Sequence, residues 1–203
     1  MDITKLQKKF DKKGMLGLIE NFPAQMEEAW MLAAEFAKTL HTDDYSRIVL
    51  CGMGGSAIAG DMVRSCLGGA LEVPLYVSRS YDVPAHMARG ALCIVSSYSG
   101  NTGETLLSYE SLRGNAKAVI AITSGGKLEK ICVRDQVPVC KIPGGMPPRA
   151  AIAYSFFPTL LTLRAAGLCA LDEADLFAAK AHLEHVCSAH SIRNPDNHAV
   201  AVA

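Results

Sequence analysis

Four hydroxyl side chains fall within seven consecutive residues of this sequence, at Ser96, Ser97, Ser99 and Thr102. They follow an apolar run at residues 91–95 and precede residues 104–112, whose composition predicts a helix. Hydroxyls and free backbone N–H groups are neutral donors that can surround a phosphate, and the N-terminus of the next helix adds a favourable dipole. Small residues such as Gly100 let an anion approach the backbone. The pattern predicts an anion-binding loop, and the alternative is an ordinary loop in which Thr102 caps the helix.

A second loop of interest is glycine-rich and reads Gly52-Met53-Gly54-Gly55-Ser56-Ala57. It matches GxGxxA, a fingerprint of dinucleotide-binding turns. That fingerprint requires an acidic residue at the end of the next strand, about twenty residues further on. Here Glu72 precedes the next predicted strand and Arg79 follows it. Because Arg79 could accommodate a 2′-phosphate, an NADP-binding Rossmann domain is an alternative interpretation.

A third candidate is Arg149, the only cation of the loop at residues 144–149. It follows Pro147 and Pro148, and proline in the first turn of a helix is a structural feature. A guanidinium group at this point could bind a phosphate or stabilise a developing oxyanion. The alternative is an ordinary surface salt bridge.

Five short apolar runs predict the strands that would position these loops, namely residues 48–51, 74–77, 91–95, 118–122 and 137–142. Short, continuous apolar strands that alternate with helices are typical of a parallel sheet covered on both faces. We therefore predict an α/β fold with a doubly wound, five-stranded parallel sheet, helices on both faces and an N-terminal helical leader.

The carboxyl ends of the strands are where an open parallel sheet binds its ligands. Every glycine- or serine-rich loop of this chain follows a predicted strand. Four loops are therefore expected to meet at one edge of the sheet, namely residues 52–56, 96–102, 123–126 and 144–149.

Composition excludes several classes of function. Twenty basic residues balance twenty acidic ones, so the basic excess typical of a nucleic-acid-binding protein is absent, as is a polybasic membrane patch. The seven cysteines are widely spaced without a CxxC pair, and Cys51, Cys93 and Cys140 lie in apolar runs, which favours a cytoplasmic location. Residues 150–171 are apolar, but Pro158 and Arg164 interrupt them, so we predict a buried helix rather than a membrane span.

Taken together, the loops resemble the sugar isomerase (SIS) domain, and more closely that of bifunctional phosphoglucose/phosphomannose isomerases. The matching motifs, in chain order, are Met15-Leu16, Phe22-Pro23-Ala24-Gln25, Gly52-Met53-Gly54-Gly55-Ser56, Tyr81-Asp82-Val83-Pro84, Ser97-Tyr98-Ser99-Gly100-Asn101-Thr102 with Glu104-Thr105, Ser124-Gly125-Gly126-Lys127-Leu128 and Pro147-Pro148-Arg149-Ala150. The resemblance covers about residues 15–170, and the order and spacing of the motifs make it specific.

The resemblance implies a flavodoxin-like SIS fold and an activity that converts an aldose 6-phosphate to its ketose through a cis-enediolate. It implies that the phosphate of a hexose 6-phosphate is bound by Ser97, Ser99 and Thr102, with Gly54, Gly55 and Ser56 nearby. Arg149 would stabilise the enediolate. No metal and no cofactor are implied, and a homodimer is expected because SIS domains usually pair.

Members of this family carry two SIS domains, and the resemblance places the catalytic Glu and the ring-opening His in the second. We expect a helical segment at residues 1–45, the sugar-phosphate-binding SIS domain at 46–170, and a helical tail at 171–203. In that tail Asn194-Pro195-Asp196 resembles the start of a second SIS domain that is cut short. Glu104 is expected to support the dipole of its helix rather than to act as the base. A non-catalytic SIS module that senses a sugar phosphate is therefore a further alternative.

Several histidines near the end of the chain raise the question of a metal site, namely His182, His185, His190 and His198 with Cys187. Carboxylate or thiolate partners at ligand spacing are absent from the sequence around them. Solvated helix residues are the preferred interpretation.

Overall fold

The computed structural model describes residues 3–194 and 197, with side chains from residue 5 onward. Backbone contacts divide the chain into two compact units. The larger unit is Glu28–Ala170, and the smaller unit combines Met1–Glu27 with Leu171–Ala203. All of the loops with candidate site residues belong to the larger unit.

The larger unit is built on a parallel sheet of five strands in the order β2-β1-β3-β4-β5. Its strands are β1 (Arg47–Gly52), β2 (Leu75–Ser78), β3 (Ala91–Ser96), β4 (Ala118–Thr123) and β5 (Val139–Lys141). Its helices are the C-terminal part of α3 (Phe22–Ala37), then α4 (Gly54–Leu67), α5 (Ala85–Ala88), α6 (Gly103–Leu112), α7 (Gly126–Arg134) and α8 (Ala153–Ala165). The predicted fold class is confirmed, including the flavodoxin-like strand order.

Alternate residues of the central strands face opposite layers of helices, as the period of two in a strand requires. On one face, Cys51, Cys93 and Val95 pack in a cluster with Tyr109 and other side chains of α5, α6 and α7. On the other face, α4 packs against α8, and its Gly60 lies directly on Leu50 and Val77. The sheet is therefore covered by helices on both faces. Only the ends of its strands remain accessible to a ligand.

The three cysteines predicted to lie in strands are buried, as expected. Cys51 and Cys93 are fully inaccessible and Cys140 is 1% exposed. Burial raises the pKa of each of these thiols to about 12, so they remain protonated and unreactive at neutral pH. They act as small apolar core residues.

Strand β5 begins at Val139 rather than at residue 137, since Pro138 has no N–H for the ladder and contributes only its carbonyl, which accepts from Ala121. The apolar stretch at residues 150–171 contains α8, which begins at Ala153 after a 3-10 turn, Pro148–Ala150. Ten residues of α8 are buried, which confirms the prediction of a buried helix. Within the described residues, no helix is long and apolar enough to cross a membrane.

The smaller unit contains α1 (Ile3–Phe10), α2 (Met15–Glu20), the start of α3 and α9 (Glu173–Ala189). The carboxylate of Asp11 caps α2 by accepting from the backbone N–H groups of Met15 and Leu16, at 2.7 and 2.9 Å. Lys180 of α9 forms an ion pair with Glu27 at 3.3 Å. The N-terminal leader is helical, as predicted, and its described residues form three helices that end at Ala37.

A network of polar and charged side chains surrounds Asp135, which directly follows α7. Asp135 accepts from Arg134 Nε at 2.7 Å, and the phenol of buried Tyr109 donates to it at 2.9 Å. Arg113 approaches the same carboxylate at 3.5 Å. The hydrogen bond from Arg134, with contributions from Tyr109 and Arg113, lowers the pKa of Asp135 from 3.8 to about 2.

We expect this network to make the fold acid-sensitive. Because the pKa of Asp135 is lowered by folding, its contribution to the free energy of unfolding is complete above about pH 4 and is lost as the pH falls toward 2. The Asp135→Asn variant should therefore be less stable than the parent protein at pH 6, with a difference that shrinks on acidification. Urea unfolding across this pH range measures it, with exposed Asp82→Asn as the control. A constant difference would contradict the prediction.

Candidate functional site

The first two candidate loops leave the sheet side by side. Gly52 at the end of β1 pairs with Ser96 at the end of β3. A Cβ atom on Gly52 would lie 2.9 Å from the carbonyl oxygen of Ser96, so only glycine allows the strands to remain this close here. In a sheet of this order, the boundary between β1 and β3 is where the chain changes direction and where a crevice opens. The two loops therefore border the crevice in which such folds bind ligands.

Ser97 and Thr102 form a hydroxyl pair that spans the loop after β3. Their Oγ and Oγ1 atoms are 3.0 Å apart, and Ser97 Oγ also accepts from the N–H of Gly100 at 3.1 Å. Thr102 occupies the N-cap position of α6, as the alternative interpretation of this loop expected, but its hydroxyl forms no cap hydrogen bond. The N-terminal N–H groups of α6 remain available to an anion.

The other hydroxyls around this loop are in different environments. Ser99 is exposed, and its Oγ accepts from the N–H of Asn101 at 3.2 Å, which leaves its own proton free to donate. Ser96 and Thr105 are each 1% exposed, and neither hydroxyl oxygen has a partner among residues 3–194 and 197. Buried polar groups are normally paired, so these two hydroxyls are exceptions among the described residues. Thr105 was not among the residues predicted for the site.

Asn101 connects the loop after β3 to the loop after β4, at residues 123–126, and to the helix that follows it. Its side-chain oxygen accepts from the N–H of Lys127 in the first turn of α7, at 3.1 Å, and its amide donates to the carbonyl of Ser99 at 3.0 Å. The carbonyl of Gly100 accepts from Leu128 at 2.9 Å. The loop after β4 thus supports the hydroxyl-bearing loop from behind. Sequence reasoning included Asn101 in a family motif but assigned it no role.

Tyr98 brings the fourth loop to the same place. It is 9% exposed, and its hydroxyl accepts from the backbone N–H of Met146 at 3.1 Å. The fourth loop also reaches the first, because a Cβ atom on Gly55 would lie 3.3 Å from the carbonyl oxygen of Pro148. The four loops expected at one edge of the sheet are therefore joined there by specific contacts.

Arg149 lies in the 3-10 turn directly after Pro148 and is exposed to solvent. It forms no ion pair with any residue in the part of the chain that the structure describes. The alternative of an ordinary surface salt bridge is therefore not observed. The backbone of its turn lies beside Gly55, near the start of α4, where the N-cap residue Met53 forms no side-chain cap hydrogen bond. The turn that carries Arg149 thus adjoins the first turn of a helix whose N–H groups can bind an anion.

The features needed for a dinucleotide are not found at the end of β2. Arg79, the candidate for a 2′-phosphate, is ion-paired with Asp61 of α4, which also binds Arg64 at 3.0 Å. No acidic residue stands at the end of this strand, where Ser78 is followed by Arg79. The end of β2 therefore gives no support to the NADP-binding interpretation.

The histidine cluster lies on the smaller unit. His182 and His185 are exposed on α9, His190 is exposed at its C-cap, and His198 lies outside the described residues. Among the residues that the structure describes, no group of three His, Cys, Asp or Glu side chains is placed to hold a metal ion.

The sheet order and the crevice define a flavodoxin-like α/β domain, and the joined loops form a site suited to an anion at the carboxyl ends of its strands. The family model of the SIS domain matches residues 43–168, which is more than half of the chain. The chain belongs to the SIS domain family.

Its relatives include a bifunctional phosphoglucose/phosphomannose isomerase from Caldicellulosiruptor bescii, 38% identical over 154 residues that cover 76% of this chain and 45% of that protein. A protein of the same name from Thermoplasma acidophilum is 38% identical over 127 residues, which cover 63% of this chain and 39% of that protein. Among solved structures, the C-terminal domain of glucosamine-fructose-6-phosphate aminotransferase from Francisella tularensis shares the fold, with a TM-score of 0.58 and 19% identity over 86% of this chain and 54% of that chain. The chain spans less than half the length of the two isomerases.

Proposed function

We propose that this chain supplies the phosphate-binding half of an aldose–ketose isomerase. The complete protein would interconvert glucose 6-phosphate or mannose 6-phosphate with fructose 6-phosphate. Four loops meet at one edge of the sheet, and this observation supports the proposal most directly. The N-cap residues of α4 and α6 form no side-chain cap there, and Arg149 has no ion pair among the described residues. The similarity to phosphoglucose/phosphomannose isomerases over three quarters of the chain supports the choice of substrate.

The phosphate would lie over the first turns of α4 and α6. Gly54 and Gly55 present backbone N–H groups there without side chains that block access, and Ser56 follows in the same turn. Ser99 would donate its hydroxyl directly. The paired hydroxyls of Ser97 and Thr102 would shape the loop and turn toward the anion when it binds. Neutral donors and helix dipoles suit a phosphate dianion because they stabilise its negative charge. No cationic side chain then has to be buried in the site.

Chemistry at the sugar would proceed by proton transfer between C2 and C1 through a cis-enediolate. Negative charge develops on the enediolate oxygens, and a fixed guanidinium such as that of Arg149 is a preorganised group that stabilises it. The proposed base and the ring-opening histidine belong to a second SIS domain. We propose that no metal or cofactor takes part, because a fixed cation serves the role of a Lewis acid.

We also propose that the protein is a homodimer and is located in the cytoplasm. A homodimer is favoured by exposed apolar side chains on α4, Ile58 and Met62, which are 49% and 38% exposed. A cytoplasmic location suits an enzyme of sugar phosphates whose strand cysteines are protonated thiols.

A thermal-shift experiment tests the proposal. Fructose 6-phosphate should raise the melting temperature of the chain, since a ligand that binds only the folded state stabilises it by about 2.7 kcal/mol at a hundred times its Kd. Fructose without phosphate and NADPH serve as controls and should leave the melting temperature unchanged. A shift with NADPH, or none with any hexose 6-phosphate, would refute the proposal. Binding without isomerase activity in the complete protein would indicate a sugar-phosphate sensor instead.

A further inference from the structure

One face of α6 carries three polar side chains that all hold the same neighbouring segment, residues 80–83. Glu104, Ser108 and Ser111 are spaced i, i+4 and i+7, so they lie along one side of the helix. Ser108 Oγ donates to the carbonyl of Ser80 at 2.7 Å, and Ser111 Oγ accepts from the N–H of Val83 at 3.0 Å. The segment after β2 is thus fixed along the flank of the helix.

The third contact involves a charged group in the first turn of α6. The phenol of Tyr81 donates to Glu104 Oε1 at 3.0 Å, and this bond is the main cause that raises the pKa of Tyr81. Tyr81 is 58% exposed, so a hydrophobic anchor does not account for its position. Its hydroxyl extends the row of contacts made by Ser108 and Ser111, and this bond directs the Glu104 carboxylate toward the segment at residues 80–83.

A carboxylate in this position has an electrostatic consequence for the anion site. Glutamate in the first turn is attracted to the uncapped N–H groups at the end of its own helix, which are the donors proposed for the phosphate. A carboxylate free to move over that end would compete with the phosphate for these donors and repel it. The bond from Tyr81 restrains the carboxylate on the flank.

We propose that Tyr81 is a positioning residue that holds Glu104 away from the N-terminus of α6 and thereby sets the affinity of the site for a phosphate ester. This inference rests on the proposed function of the loop after β3. It assigns Tyr81 no contact with the sugar, and it identifies Glu104 as an internal competitor of the substrate rather than as a base.

A double-mutant cycle tests the inference, with the Kd of fructose 6-phosphate measured by isothermal titration calorimetry. Tyr81→Phe should weaken binding by about 3- to 10-fold, because the freed carboxylate then competes for the helix end. Glu104→Gln should bind as tightly as the parent chain or more tightly. The double variant should match Glu104→Gln alone, since removal of the charge makes the restraint unnecessary. Inorganic phosphate should show the same order.

The outcomes separate this inference from the proposed function. If the parent chain does not bind fructose 6-phosphate, the proposed function fails. If the parent binds and Tyr81→Phe binds equally well, the positioning role is wrong. If the double variant stays as weak as Tyr81→Phe, Tyr81 acts on the ligand directly and the inference is overturned. Tyr76→Phe is the matched control, because Tyr76 is also an exposed tyrosine, at 45%, but lies within β2, and its replacement should leave the Kd unchanged.

Discussion

Replacement of Gly100 by alanine is expected to destabilise the chain by about 3 to 5 kcal/mol and to abolish the binding of fructose 6-phosphate. Gly100 has a φ of +65°, in the left-handed region that favours glycine. A Cβ atom here would overlap the carbonyl oxygen of Gly125 and lie 2.8 Å from Thr123 Oγ1. Because the neighbour is the backbone of the adjoining loop, the overlap cannot be relieved by rotation of a side chain.

The loss of binding follows from the same contact. The loop after β3 keeps its position by packing against the loop after β4, through the bonds from Leu128 to Gly100 and from Lys127 to Asn101. Separation of the two loops would break these bonds and move Ser99 away from the end of α6. Urea unfolding measures the stability, and calorimetry measures the binding.

A matched control isolates the steric effect from backbone strain. Gly114 has a φ of +79° in the turn after α6, but nothing lies within 4 Å of a Cβ atom placed on it. Gly114→Ala should therefore cost only about 1 kcal/mol and leave binding intact. Equal losses of stability in the two variants would show that the contact between the loops does not determine the effect.

Replacement of Arg149 by alanine is expected to weaken the binding of fructose 6-phosphate by roughly 10- to 100-fold, the range that follows from losing a charge-assisted hydrogen bond to a phosphate. Its free energy of unfolding should change by less than about 0.5 kcal/mol, because the side chain is exposed and has no ion-pair partner in the described structure. Arg149→Lys should fall between the parent and the alanine variant, since an ammonium group keeps the charge and loses the planar pair of donors.

Arg89→Ala is the control for net charge. Arg89 is also exposed, and it lies two residues before β3, at the opposite end of the strands. Both substitutions remove one positive charge, but only Arg149 directly follows Pro148, whose carbonyl lies beside Gly55. If the two variants lose affinity equally, Arg149 contributes only a general field and does not contact the phosphate.

Much of the fold could be predicted from the order of residues alone. The strands β1, β3 and β4 are continuous apolar runs, and each is followed by a glycine or serine turn and a helix, so local composition identifies them. The carboxyl-edge rule then places the four loops together without knowledge of any contact. The start of β5 could not be predicted from apolarity alone, because Pro138 lacks the N–H that would continue the ladder. Helix α8 also begins at Ala153 rather than at residue 150.

The order of residues is enough to identify a parallel α/β domain, with a loop rich in hydroxyls at the end of its third strand and an arginine in the last of four clustered loops. The contacts of these groups are visible only in the folded chain, where Ser97 pairs with Thr102, Tyr98 bonds to the loop that carries Arg149, and Tyr81 donates to Glu104. Turn composition and hydrophobic periodicity act between near neighbours, whereas the bond from Met146 to Tyr98 joins residues 48 positions apart and forms only once the sheet has brought the loops together.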